Sequence, residues 1–186
     1  IINMKFFLST FSLLFLISMT NKTFAGPIFK DNFQDPAQWT YISDNVMGGV
    51  STGSVAYKTD NGASVALLSG NVTTENNGGF IQVRRNISNI DLKTAKFVKV
   101  VAKGNNQKYF IHLRTTGTIL PWQYYASEFI VDEDFKEFIL PINKFEKSSF
   151  FLANTIKSKN ITSIGLVAYG RDHHAKLKVK EIAFLE

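Results

Sequence analysis

Lys176-Leu177-Lys178-Val179-Lys180 alternates basic and apolar side chains one by one. A period of two is the repeat of an extended strand, so Leu177 and Val179 fall on one face and the three lysines on the other. The same logic puts Tyr109, Ile111 and Leu113 on one face and His112 and Arg114 on the opposite one. Working outward, short runs of this kind fill 39–42, 50–57, 63–72, 79–87, 97–102, 109–115, 123–131, 135–140, 161–168 and 177–185. Between them stand Asp60-Asn61-Gly62, Asn76-Asn77-Gly78-Gly79, Gly104-Asn105-Asn106 and Gly170-Arg171-Asp172, residues that tolerate positive φ in tight turns. About nine or ten short strands with such spacing predict an all-β, jelly-roll β-sandwich in a single domain, residues 26–186. Residues 145–157 lack alternation and read as a loop with at most a short helical turn.

The first 25 residues are set apart. Met4-Lys5 is followed by an apolar stretch over 6–19 and by Thr23-Phe24-Ala25. One positive residue, a short apolar core and small residues at −3 and −1 predict a signal peptide starting at Met4 and cleaved after Ala25. About 14 apolar-leaning residues fall short of the ~20 that span a bilayer. The protein is therefore expected to be exported, periplasmic or secreted.

The formal charge of +6 is spread along alternating strands and forms no dense basic block, which argues against a nucleic-acid surface. With no cysteine, disulfides, thiolate nucleophiles and cysteine-based zinc sites are excluded. His173-His174 would point to opposite faces of a strand and make a poor chelate; a polar turn is the simpler reading. Asp132-Glu133-Asp134 suits a solvated turn, so no metal and no cofactor is expected. Asp44, Glu75 and Glu128 are carboxylates without a spacing that pairs them for glycoside hydrolysis, so the chain is read as a binding protein and not an enzyme.

Glycine and aromatic placement stand out. Ser43-Asp44-Asn45-Val46-Met47-Gly48-Gly49-Val50-Ser51 and Asn76-Asn77-Gly78-Gly79-Phe80 each carry a glycine pair, which permits tight turns or close approach of another group. Met47 should be exposed, as an adaptable contact. Trp122, Gln123, Tyr124 and Tyr125 form a second candidate surface, since aromatic faces stack on sugar rings or anchor a partner. The candidate binding residues are Asp44, Met47, Gly48, Gly49, Ser51, Asn77, Gly78, Gly79, Arg84, Trp122, Gln123 and Tyr125. Asp44 is expected to accept amide protons from its own glycine turn, and Trp39 to lie against the core.

Trp39 followed by Asp44-Asn45-Val46-Met47-Gly48-Gly49-Val50-Ser51 resembles the hallmark of the complex I intermediate-associated protein 30 family. Leu68-Ser69-Gly70-Asn71-Val72, Asn77-Gly78-Gly79-Phe80-Ile81-Gln82-Val83-Arg84, Tyr125 to Phe129, Leu140-Pro141-Ile142-Asn143-Lys144-Phe145 and Ile161-Thr162-Ser163-Ile164-Gly165 resemble its further motifs, in order. Leu68, Gln82 and Ile142 depart from the residues usual there. The resemblance implies a galactose-binding-domain-like jelly roll related to carbohydrate-binding modules. It also implies a chaperone-like assembly role on a protein complex, here one of the cell envelope or membrane. The alternative reading is a carbohydrate-binding module.

Overall fold

The computed structural model describes residues 26–186; the expected signal peptide lies outside the described residues. Twelve strands follow one another. They are β1 (Phe29–Asp31), β2 (Trp39–Ser43), β3 (Thr52–Asp60), β4 (Ala63–Val72), β5 (Phe80–Asn86) and β6 (Phe97–Gly104). There follow β7 (Lys108–Thr115), β8 (Tyr125–Ile130), β9 (Lys136–Pro141), β10 (Glu146–Lys147), β11 (Ile161–Tyr169) and β12 (His173–Leu185). Short 3-10 turns are the only helical elements among the described residues.

The strands form two antiparallel sheets. The first has the order β3-β4-β12-β6-β9, and the second β10-β8-β7-β11-β5-β2. β12, 13 residues long, pairs with β4 through its first half and with β1 through its second. The alternation that announced this strand buries Ala175, Leu177 and Val179. It then breaks at a bulge between Val179 and Glu181, where the register with β6 shifts. The extra residue puts Lys180 and Glu181 in succession off the core side and returns Ile182 and Phe184 to it. Glu181 is held there by Lys30 at 2.7 Å and Lys99 at 2.5 Å.

Tyr109, Ile111 and Leu113 of β7 are buried with Val98 and Val100 of β6 and Ile164 and Leu166 of β11, as their alternation predicts. Trp39 is buried too, 5.0 Å from the Phe33 ring, with its indole N–H donated to Asp31 at 2.9 Å. Asp31 also pairs with Arg85, so this carboxylate ties β1 of the first sheet to β2 and β5 of the second. The turn residues take the conformations their chemistry allows: Asn61, Asn76, Asn77, Asn106, Gly62 and Gly170 all have positive φ.

Three readings of the sequence need correction. β1 and β10 are too short to show a repeat, and β10 lies inside the segment read as a loop. β12 begins at His173, not Leu177, so the histidines form strand rather than turn. His173 is bonded at the Arg171 carbonyl and His174 at Asn71.

Candidate functional site

The glycine-rich stretch folds around one carboxylate. Asp44 opens a 3-10 turn, Asp44–Met47, and is fully buried. It accepts the amide of Ser51 at 3.0 Å and the Ser51 hydroxyl at 2.5 Å. It also accepts the amides of Gly79 at 2.6 Å and Phe80 at 3.2 Å. Burial alone would push this carboxyl up; these donors outweigh it and hold it below its usual value. Its own glycine turn is closed differently from expectation. The backbone carbonyl of Asp44, not the carboxylate, receives the Gly49 amide at 3.0 Å. The side chain is thereby free to reach the second glycine pair. Both glycine pairs exist to admit it: a Cβ on Gly49 would lie 2.4 Å from Asp44 Cγ, and one on Gly78 would lie 2.5 Å from its Oδ2. Ser51 Oγ also accepts the Thr73 amide at 3.0 Å. The motif therefore pins β2, β3 and the start of β5 together.

Beyond that pin, β5 runs into the open face of the second sheet. Ile81 and Val83 point into the core, so Gln82, Arg84 and Asn86 point out. In the ladder Arg84 lies beside Gly165, and Gly165 beside His112; Ser163 lies between Asn86 and Arg114. The outer face of β7 and β11, with Tyr124 just before β8, carries a ring cluster. His112 stacks on Tyr124 with centroids 3.8 Å apart and planes 9° apart. Tyr169 stands edge-on to both, at 5.9 and 6.2 Å, and Phe110 edge-on to Tyr169 at 6.0 Å. His112 is only 8% exposed, and among the described residues its Nε2 has no hydrogen-bond partner. Burial pushes its pKa down to about 3, so the ring is neutral. Burial, and then Tyr169, push the Tyr124 phenol up.

A cleft lies on either side of this cluster. One, of about 410 Å³, is lined by Thr40, Arg84, Asn86, Arg114, Thr118 and Ser163, among others. The other, of about 500 Å³, is lined by residues that include Lys108, Phe110, Ile130, Tyr169 and Arg171. Arg114 is fixed in the first by the carbonyls of Thr118 at 2.9 Å and Leu120 at 3.0 Å.

A sequence profile of the Complex I intermediate-associated protein 30 (CIA30) family matches residues 28–179. The chain belongs to the CIA30 family. No curated protein sequence matches this CIA30 domain. Among solved structures it is similar to the Family 11 carbohydrate-binding module of Clostridium thermocellum in complex with a β-1,3-1,4-mixed-linked tetrasaccharide. That pair has 16% identity and a TM-score of 0.67, over 83% of this chain and 92% of the module. A Family 11 module of a cellulosomal cellulase of the same organism gives 16% identity and a TM-score of 0.68, over 83% and 91%. The K2 cleaved adhesin domain of Lys-gingipain gives 13% and 0.52, over 84% and 98%. These likenesses establish the β-sandwich that the CIA30 domain shares with carbohydrate-binding modules.

The candidates read from the sequence divide within this CIA30 fold. Asp44, Ser51, Gly49 and Gly79 are buried and built into the pin, whereas Met47, Gly48 and Asn77 are exposed on the turns around it. Gly78 is half-buried there. Gln123 is buried, its Oε1 accepting the amides of Ile119 and Leu120; this places it inside the loop, off the surface. Tyr125 is buried as well, its hydroxyl donated to the Ala153 carbonyl at 3.0 Å. The aromatic run thus separates into exposed Trp122, half-buried Tyr124 and internal Tyr125. Arg84 lies on the open face with Arg114. Phe110, His112, Gly165 and Tyr169 were not singled out by sequence. Their signal was the outward phase of β7 and β11, which says nothing about which strands adjoin. Of the carboxylates considered for hydrolysis, Asp44 is internal, and Glu128 pairs with Lys108 at 2.8 Å. Glu75 sits on an exposed turn.

Proposed function

We propose that this CIA30 protein is an exported, non-catalytic binding protein that lays an extended carbohydrate chain across the open face of its second sheet. The ring cluster of His112, Tyr124 and Tyr169, between a polar cleft and a more apolar one, carries the reading. A sugar ring has an apolar C–H face and a rim of hydroxyls; it needs an aromatic surface with hydrogen-bonding side chains on either side. Threonine, asparagine, serine and arginine side chains supply those in the first cleft. The likeness to carbohydrate-binding modules supports the fold required. Calorimetric titration against a panel of soluble oligosaccharides tests the proposal, with Tyr169→Ala expected to weaken binding about tenfold. Absence of binding to the whole panel would sink it. The apolar stretch at 6–19 motivates export, which cell fractionation with and without residues 4–25 checks.

A second reading, an assembly factor for an envelope or membrane complex, draws on the family description and on one surface feature. Ile119, Trp122, Phe150 and Phe151 are exposed on two loops joined by the Ser148 hydroxyl, which is donated to the Trp122 carbonyl. Apolar loop tips of this kind anchor protein contacts. Pull-down from envelope extracts, with both phenylalanines replaced by Ser, separates this reading from the first.

A further inference from the structure

The open face is basic without being balanced. Arg84 and Arg114 line the same cleft, and among the described residues that line either cleft none is acidic. Arg84 has no side-chain hydrogen bond or ion pair among the described residues. Arg114 is held only by a threonine hydroxyl and backbone carbonyls. Burial, and then the charge of Arg84, push the Arg114 pKa down, which marks two like charges held within each other's field. Several half-buried cations elsewhere are matched by carboxylates, Lys99 by Glu181, Lys178 by Asp60 and Arg85 by Asp31, while Lys147 is held by the Leu152 carbonyl and the Asn154 side chain and Lys180 lies over the Phe135 ring. Arg84 and Arg114 differ from these in lying side by side in one cleft, on the face where the ligand is placed. At the far side of the ring cluster, Arg171 lines the second cleft, its guanidinium bonded to the Gln107 side chain and the Lys108 carbonyl. Lys108 beside it is matched by Glu128.

We propose that the sugar chain bound on this face is acidic, carrying carboxylate or sulfate groups, and that Arg84 and Arg114 together receive one of them. The inference rests on the carbohydrate reading above. A guanidinium presents a planar fork of donors that matches a carboxylate or sulfate edge. A cleft lined by one sign of charge concentrates the opposite sign. Arg84 is two strands from His112 through Gly165, about 10 Å at the spacing of a sheet. Gly165 raises no side chain of its own between them; the Gln82 amide lies over it, its Oε1 3.1 Å from where a Cβ would stand, so a sugar chain running from Tyr124 and Tyr169 toward the arginines passes over a polar side chain.

The test is calorimetric titration of the full chain with uronate oligosaccharides, sulfated oligosaccharides, neutral β-glucan oligosaccharides and poly-glutamate. Uronate or sulfated chains are expected to bind at least about tenfold more tightly than neutral ones, the two arms telling which anion fits. Added salt should weaken that binding. Arg84→Gln should remove the preference, lowering affinity for the anionic chains far more than for neutral ones, and Arg84→Lys should restore part of it. Equal or tighter binding of neutral chains overturns the inference and leaves the carbohydrate reading standing. Binding of poly-glutamate as tight as any sugar, unaffected by Tyr169→Ala, overturns it as mere polyanion attraction. Binding to none of the sugars overturns both.

Discussion

The Asp44 carboxylate accepts the amide proton of Gly79 at 2.6 Å across 35 residues of chain. Two glycine-rich motifs that look like independent turns are therefore the two walls of one buried anion site. Removing the charge should be costly. Asp44→Asn keeps one acceptor oxygen but turns an NH2 toward backbone donors, and about 2–4 kcal/mol of stability should be lost. Urea unfolding measures it. The linkage has a definite sign. Because the folded-state pKa lies below the ordinary 3.8, the stabilisation is present above that value and lost as pH falls through the folded one. The acid limb of the stability curve should be shallower in the variant.

The glycines of the motif should not be equivalent. Gly49→Ala and Gly78→Ala each drive a Cβ into the Asp44 carboxylate, and each should cost about 2–4 kcal/mol. Gly48 has φ +88 with nothing within 4 Å of its Cβ position, so Gly48→Ala should cost only about 1 kcal/mol of backbone strain. Thermal melts of the three variants give the order.

His112 should make the protein acid-sensitive in a second window. Its pKa is about 3 in the fold against 6.5 for an ordinary histidine, so the unfolded chain takes up the proton first. Stability from this residue is complete above 6.5 and declines as pH falls toward 3. His112→Phe keeps the ring stacked on Tyr124 and should flatten that decline, as urea midpoints across the window will show.

The two tryptophans should respond differently to solvent and ligand. Trp122 is 55% exposed and Trp39 is 6% exposed. An aqueous collisional quencher should reach Trp122 and spare Trp39. Trp39→Phe should cost about 1–3 kcal/mol, because it strips the indole donor from buried Asp31. Trp122→Phe should leave stability within about 0.5 kcal/mol.

Phe150 and Phe151 are 88% and 87% exposed, so replacing both by Ser should leave the melting temperature nearly unchanged. If the loops contact a protein, the double variant should lose that partner in a pull-down while still binding sugar.

Strand positions were legible because each depends on a strand's own repeat. β7 and β12 announced their inward residues, and Asn61 and Asn106 announced their turns. β1 and β10 were not legible, since two or three residues carry no periodicity. Gln123 and Tyr125 were misplaced for a related reason. Alternation tells which residues share a face but not which face is covered, and both proved internal. His112 could be put on the outward face of β7 but not in a ring cluster, because Tyr124 stands just before β8 and only the β7–β8 register brings the two rings together.

By itself, then, the sequence determined the β-sandwich class, the turns and, through its glycine-rich motif, the family. Those depend on local repeat, local φ preference and residue order. Only the tertiary structure decided that Asp44 serves the Gly78–Gly79 turn as well as Ser51, and that Arg84, Gly165, His112 and Tyr124 share one open face. Hydrogen-bond registers between strands far apart in the chain set those relationships, and no repeat within a single strand encodes them.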